Sequence, residues 1–320
     1  MSHPPARTVW IALTTVYIAW GSTYVAIRLM DRTIPPLAGA GVRFLLAGFA
    51  MYGFLALRRR GLPRVAPREL ASLIVVSILL LTGGNGIVTV AERHVPAGLA
   101  ALLVASMPLW VLLLRLLAGD RPRAATLVGL GIGFSGVALL VLRGSHGSGA
   151  SVGQALVVVA GALAWATGSF LSSRLPLPAD VSAGTAVEMI IGGAVLAVLA
   201  VVFGEPWSHL WLHASADSLL ALVYLAAIGS IVAFTAYVWL LQNVPISKIS
   251  TYAYVNPVVA VALGALVLGE AITGLMVVGG LITVAAVAVV IRSESRASSD
   301  PAPVEPPPPA LALEGPAEAC

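Results

Sequence analysis

The chain has 320 residues, of which 59% are hydrophobic and 10% charged, with a mean hydropathy of +0.97. A soluble domain of this size needs a charged surface, so these figures exclude a water-soluble enzyme or binding module. The net charge of +4 suggests nucleic acid only if the position of each charge is ignored.

Apolar runs of roughly twenty residues, the length that crosses a hydrocarbon layer, recur from end to end. In chain order they are Thr8 to Arg28, Leu37 to Leu57, Leu70 to Ala91, Ala97 to Leu117, Ala124 to Leu142, Val152 to Arg174, Val181 to Phe203, Asp217 to Leu241, Ser247 to Leu268 and Ile272 to Ile291. None alternates polar and apolar positions as membrane-barrel strands do. The expected fold class is therefore all-α integral membrane, with ten transmembrane helices. The first run is too long for a secretory leader, lacks a small-x-small cleavage site, and is read as helix one.

With the N-terminus taken as cytoplasmic, thirteen of the eighteen basic residues fall inside, including the run Arg58, Arg59, Arg60, Arg64 and Arg68. Only Arg28, Arg32, Arg93 and Arg143 fall outside, and Arg43 lies within a span. That asymmetry predicts a multi-pass protein of the cell inner membrane with both termini cytoplasmic. The basic run reads as a topogenic and lipid-headgroup feature, and no nucleic-acid partner is expected. The one cysteine, Cys320, leaves no disulfide or cysteine metal site; no metal or cofactor is expected. The Pro-rich end, 292–320, reads as a disordered cytoplasmic tail.

The chain repeats itself. IAWGSTYVAIR (Ile18 to Arg28) is echoed by LAWATGSFLSS (Leu163 to Ser173), and GVRFLLAG (Gly41 to Gly48) by AVEMIIGG (Ala186 to Gly193), both at a shift of 145 residues. Pro96 and Pro108 map to Pro245 and Pro257 at 149, and Gly119-Asp120 to Gly269-Glu270 at 150. Two five-helix units are predicted, 8–142 and 152–291, joined by a small-residue linker at 143–151. Five is odd, so the second unit enters the membrane from the opposite side. Inverted repeats of this kind let a central site face either side by exchanging the conformations of the two halves, which points to transport.

Polar and aromatic residues inside the spans are the site candidates. Arg43 lies about 10 Å deep in helix two, and its repeat partner is Glu188 in helix seven. The two are expected to form separate poles around a wet cavity or, with tilt, an ion pair. Arg43 serves either an anionic group or, more blandly, as a strut bonding backbone carbonyls. Asn85, Thr89 and Glu92 fall at i, i+4 and i+7 on one face of helix three. Trp20 and Tyr24 share a face of helix one, with Trp165 and Ser169 in the equivalent places of helix six. These aromatics read as cavity walls or as packing. Pro108 and Pro257 remove the bonds to the carbonyls of Val104 and Ala253 and should kink helices four and nine. Matched proline interruptions point to a substrate site, with Tyr252 and Asn256 one turn apart beside it. Gly129, Gly133 and Gly136 form a small face in helix five for packing within the chain or between copies.

The segments AWGSTYVAIR, VRFLLAG, GNGIVTVAERHVPAGLAALLVASMPLW and YAYVNPVVAVALGALVLGE resemble the drug/metabolite transporter superfamily, specifically its ten-helix EamA-type exporters and within them the YedA-like permeases. The resemblance covers nearly all of Trp10 to Ile291 and implies an inner-membrane exporter of amino acids, related metabolites or drug-like compounds, with a cavity between two EamA repeats. Branches that carry phosphorylated sugars cluster basic residues in late helices, whereas Lys248 stands alone there, so a phosphate substrate is disfavoured.

The expected function is secondary export of small metabolites by alternating access. The substrate set is Trp20, Tyr24, Arg43, Asn85, Thr89, Trp165, Ser169, Glu188, Tyr252 and Asn256. Glu188 first and Glu92 second are the candidates if a proton is coupled. The expected partners are a small-molecule substrate and membrane lipid, with the protein a monomer or homodimer. The rivals are a membrane-embedded enzyme and a receptor or scaffold. No HExxH or phosphate-binding loop is present to support the enzyme.

Overall fold

The computed structural model describes residues 5–59, 61, 65–122, 124–144, 150–244, 246–249 and 251–297. They form a helical bundle with no strand among the described residues. Eight helices are long and apolar enough to cross a membrane, and two more are shorter: α1 (Ala6–Met30), α2 (Pro36–Arg58), α3 (Pro67–Glu92), α4 (Ala97–Leu117), α5 (Thr126–Leu142), α6 (Val152–Ser172), α7 (Val181–Val202), α8 (Ala216–Leu240), α9 (Tyr252–Leu268) and α10 (Gly274–Ser293). Short helices at Trp207–Leu212 and Ile246–Ile249 precede α8 and α9. The last helix runs on to Ala297, so 292–297 is helical rather than tail, and the expected disordered segment at 298–320 lies outside the described residues.

Local chemistry sets the helix ends. α2, α3 and α4 start at or just after Pro36, Pro67 and Pro96, where a missing N–H costs nothing. Ser151 accepts the Gln154 N–H at the start of α6, and Ser215 the Ser218 N–H at the start of α8. Two termini are joined across the repeats. After α7 the chain turns at Gly204 (φ 70°), and after α9 at Gly269 (φ 67°); each glycine is followed by a glutamate. Glu205 accepts the Leu37 and Ala38 N–H groups at 3.1 and 2.8 Å, and Glu270 those of Ala97 and Gly98 at 2.8 and 3.1 Å. Each carboxylate thereby satisfies the open first turn of a helix from the other repeat. Asp120, the repeat counterpart of Glu270, instead accepts from Arg115 of its own helix at 2.7 Å.

The interhelical contacts are symmetric. α2 packs on α7, α5 on α10 and α4 on α9, each helix against its own repeat copy. α1 packs on α8 and α9, and its copy α6 packs on α3 and α4. Exchanging the two units maps this set onto itself, as a pseudo-two-fold axis in the membrane plane requires. Glycine permits the closest approach: a Cβ on Gly41 would lie 2.9 Å from the Ala197 nitrogen, and one on Gly193 2.8 Å from the Leu45 nitrogen. The Gly129, Gly133 and Gly136 face of α5 meets Val290, Ala286 and Thr283 of α10, so it packs within the chain.

The broken helices also match. α3 widens to π-helical pitch over Ile78–Gly86, and its copy α8 does so over Leu225–Val232. α4 breaks between Val104 and Met107, with Pro108 in the first turn of its second piece. In α9, Pro257 sits inside the helix Tyr252–Leu268.

Candidate substrate cavity

A cavity of about 120 Å³ lies where the irregular helices converge. Of the residues expected from sequence, Trp20, Tyr24, Arg43, Asn85, Trp165, Tyr252, Asn256, Pro108 and Pro257 line it. α1 contributes one face through Trp20, Thr23, Tyr24 and Ile27, at helical spacing.

Trp20 donates its indole N–H to the Gly229 carbonyl at 3.2 Å. That carbonyl belongs to the π-helical stretch of α8, where the chain departs from regular α-helical bonding. Trp165, the repeat copy of Trp20, lies against Gly84 in the π-helical stretch of α3, where a Cβ would come within 2.7 Å of the ring. Trp20 also meets Phe234, Tyr237 and Tyr252 at ring-centroid distances of 5.4, 5.1 and 5.2 Å. The wall is thus a rigid aromatic box.

Arg43 is 4% exposed. Its Nε donates to Ser230 Oγ at 3.1 Å, and its guanidinium carbon lies 4.7 Å from the centre of the Phe44 ring. No carboxylate pairs with it among the described residues. Arg43 lines the cavity, and Nε is its only nitrogen with a protein acceptor among the described residues, which leaves a planar donor fork suited to a carboxylate. With its amide oriented so that the nitrogen faces acceptors, Asn256 donates to the Tyr17 and Tyr252 carbonyls at 3.3 and 3.2 Å.

Three expected residues do not reach the wall. Thr89 is buried, and its hydroxyl donates back to the Asn85 carbonyl at 2.8 Å; past the widened turns of α3, Val88 takes the cavity position instead. Ser169 occupies the place equivalent to Tyr24 but is too short to fill it. Glu188 is not among the residues that line the cavity. Arg43 and Glu188 form no ion pair. Glu92 lines a second cavity, one turn beyond the first.

Thr23, Phe44, Met107 and Phe234 line the cavity without having been singled out from sequence. Thr23 shares the Trp20 face, and Met107 adjoins Pro108. Ser230 falls 145 residues after Asn85, the shift of the first two repeat landmarks, which was a usable signal.

The model of the EamA-like transporter family matches residues 8–142 and again 153–292. The chain belongs to the EamA-like transporter family. It is accordingly a multi-pass membrane transporter with the family unit present twice. It is 44% identical over 263 residues to the "uncharacterized inner membrane transporter YedA" of Escherichia coli K12, covering 82% of this chain and 83% of that one. It is 25% identical over 283 residues to a "probable amino-acid metabolite efflux pump" of Salmonella typhimurium, covering 84% and 90%. A solved crystal structure with 21% sequence identity superposes with a TM-score of 0.59, covering 93% of this chain and all of the other. That likeness concerns the fold alone.

Proposed function

We propose that the protein exports small, partly apolar solutes bearing a carboxylate, amino acids and related metabolites first among them, by alternating access across the inner membrane. The observation that carries this reading is Arg43, a buried guanidinium that lines an aromatic cavity and has two nitrogens without a protein acceptor among the described residues. A charge this deep in a span is costly unless it serves a ligand or a wet path. Trp20, Tyr24, Trp165, Tyr252 and Phe234 supply apolar walls, and Asn85 and Asn256 supply orienting amides. The relatives named as an inner-membrane transporter and an amino-acid metabolite efflux pump support the location and the solute class.

On this reading both termini are cytoplasmic, as the distribution of arginines favours, and no chemistry is done on the solute. Glu188 and Glu92 remain the carboxylates for any coupled proton, and Glu92 lines the second cavity. A thermal-shift screen against amino acids, followed by counterflow in proteoliposomes, tests the proposal. A solute that raises the melting temperature and exchanges saturably across the membrane supports it. Binding by cationic amines that lack a carboxylate, with none by amino acids, overturns it.

A further inference from the structure

A second cavity, of about 360 Å³, opens beside the first and is walled largely by charge. The two stack along shared helices. Tyr24 and Ile27 of α1 line the first while Arg28 and Asp31 line the second, and in α3 the change comes between Val88 and Glu92.

Most of the charged groups here have work within the protein. Arg28 donates to the backbone carbonyl of Glu92, and its Nε lies 3.8 Å from Glu270. Glu270 spends both oxygens on the start of α4. Asp31 and Glu92 differ. Asp31 is 9% exposed and Glu92 fully buried, and none of their four carboxylate oxygens has a hydrogen-bond partner. An ionised carboxylate in that state forfeits hydration and gains no hydrogen bond in exchange.

We infer that Asp31 and Glu92 form a proton-exchange site in this second cavity, separate from the place where solute binds. What the pair lacks is a proton, since two buried carboxylates on one small cavity do not both ionise readily. No set of three or more His, Cys, Asp or Glu side chains is arranged to hold a metal ion among the described residues. An anion is disfavoured because the partnerless groups are acids. The groups facing the pair are Arg28 and Arg32 from the end of α1, Arg93 and His94 after α3, and Glu270 after α9. Glu205 after α7 also acts on Asp31, while Arg43 of α2 and Tyr24 of α1 act on Glu92. Burial, helped by Glu205 and opposed by Arg93 and Arg28, pushes the Asp31 carboxyl well above the usual range. Its use in transport rests on the function proposed above; the site itself does not.

The test is labelling of the purified full-length protein with a hydrophobic carbodiimide, which reacts with protonated carboxyls, mapped by mass spectrometry between about pH 5 and 9. The expected result is modification at Glu92 or Asp31 that falls about tenfold per pH unit above its midpoint. In Asp31→Asn the Glu92 midpoint moves to lower pH, by about one unit, because the neighbouring acid is gone. Labelling at neither residue, an unmoved Glu92 midpoint in Asp31→Asn, or protection by sodium at constant pH overturns the inference. Wild-type labelling needs no variant to fold and no flux. Intact labelling with absent counterflow therefore sinks the transport reading alone.

Discussion

Trp20 and Gly229 are joined by an indole N–H to carbonyl bond of 3.2 Å that ties the first helix to the π-helical turn of α8. The repeat copies of these residues, Trp165 and Gly84, touch through ring and backbone instead. Trp20→Phe keeps most of the ring and loses the bond, so solute binding should weaken by about 1 kcal/mol, or roughly fivefold. Gly84→Val drives a side chain into Trp165 and should cost more than Trp20→Phe. Both effects can be read from ligand-induced thermal shifts.

Arg43→Gln removes the donor fork while keeping a polar side chain of similar reach. Binding of a carboxylate-bearing solute should fall by about 1.5 to 3 kcal/mol, the range for hydrogen bonds to charged groups. Arg43→Lys keeps the charge without the planar geometry and should restore only part of it. Ser230→Ala, which frees only Nε, should have the smallest effect. Equal losses for a solute and its carboxamide would show that Arg43 does not read the carboxylate.

Glu205 and Glu270 each close a helix start with two bonds. Replacing either by Ala should lower stability by about 1 to 3 kcal/mol, and replacing it by Gln should cost less, because one acceptor oxygen remains. Thermal unfolding in detergent measures both. Asp120→Ala, which lacks such a role, should change stability little.

The Asp31 carboxyl has a native pKa raised well above the ordinary value near 3.9. The protonated form is the one the fold prefers, so this contribution is complete below about pH 4 and is lost as pH rises through the raised native value. Melting temperature should fall with increasing pH across that window. Asp31→Asn should flatten the slope, stabilising the protein at pH 8 more than at pH 5; parallel melting curves for the two proteins would contradict this.

Gly193→Val places a branched side chain where even a Cβ would meet the Leu45 nitrogen at 2.8 Å. Helices α2 and α7 must separate, and a loss of at least about 1 to 3 kcal/mol is expected. Gly53, which has nothing within 4 Å of such an atom, should tolerate the same change and serves as the control.

The spans and the repeat were legible because apolar length and self-similarity are written in the one-dimensional pattern. Trp20, Tyr24, Arg43 and the two prolines could be picked out for the same reason: each is an anomaly in an apolar run. The π-helical stretches were not legible. Nothing in ILLLTGGNG distinguishes a widened turn from a regular one, since the choice depends on what packs against it. Thr89 lies one turn from Asn85, as its spacing suggests, yet Val88 rather than Thr89 lines the cavity. Asp31, sitting just past the first span, reads in sequence as an ordinary solvated loop acid, and only packing buries it. Glu188, the repeat partner of Arg43, does not line the cavity, since repeat symmetry equates positions, not environments.

The paired widened turns of α3 and α8 have a consequence for how such a molecule changes shape. Restoring regular pitch in one of them would rotate the helix beyond it by as much as about 100°, one residue's share of a turn. That twist would swing Glu92 relative to Leu81 while the rest of α3 stayed anchored. Each repeat thus carries slack that can be drawn in or let out without unwinding, and a one-residue deletion within Ile78–Gly86 would lock one half of the molecule in its contracted form.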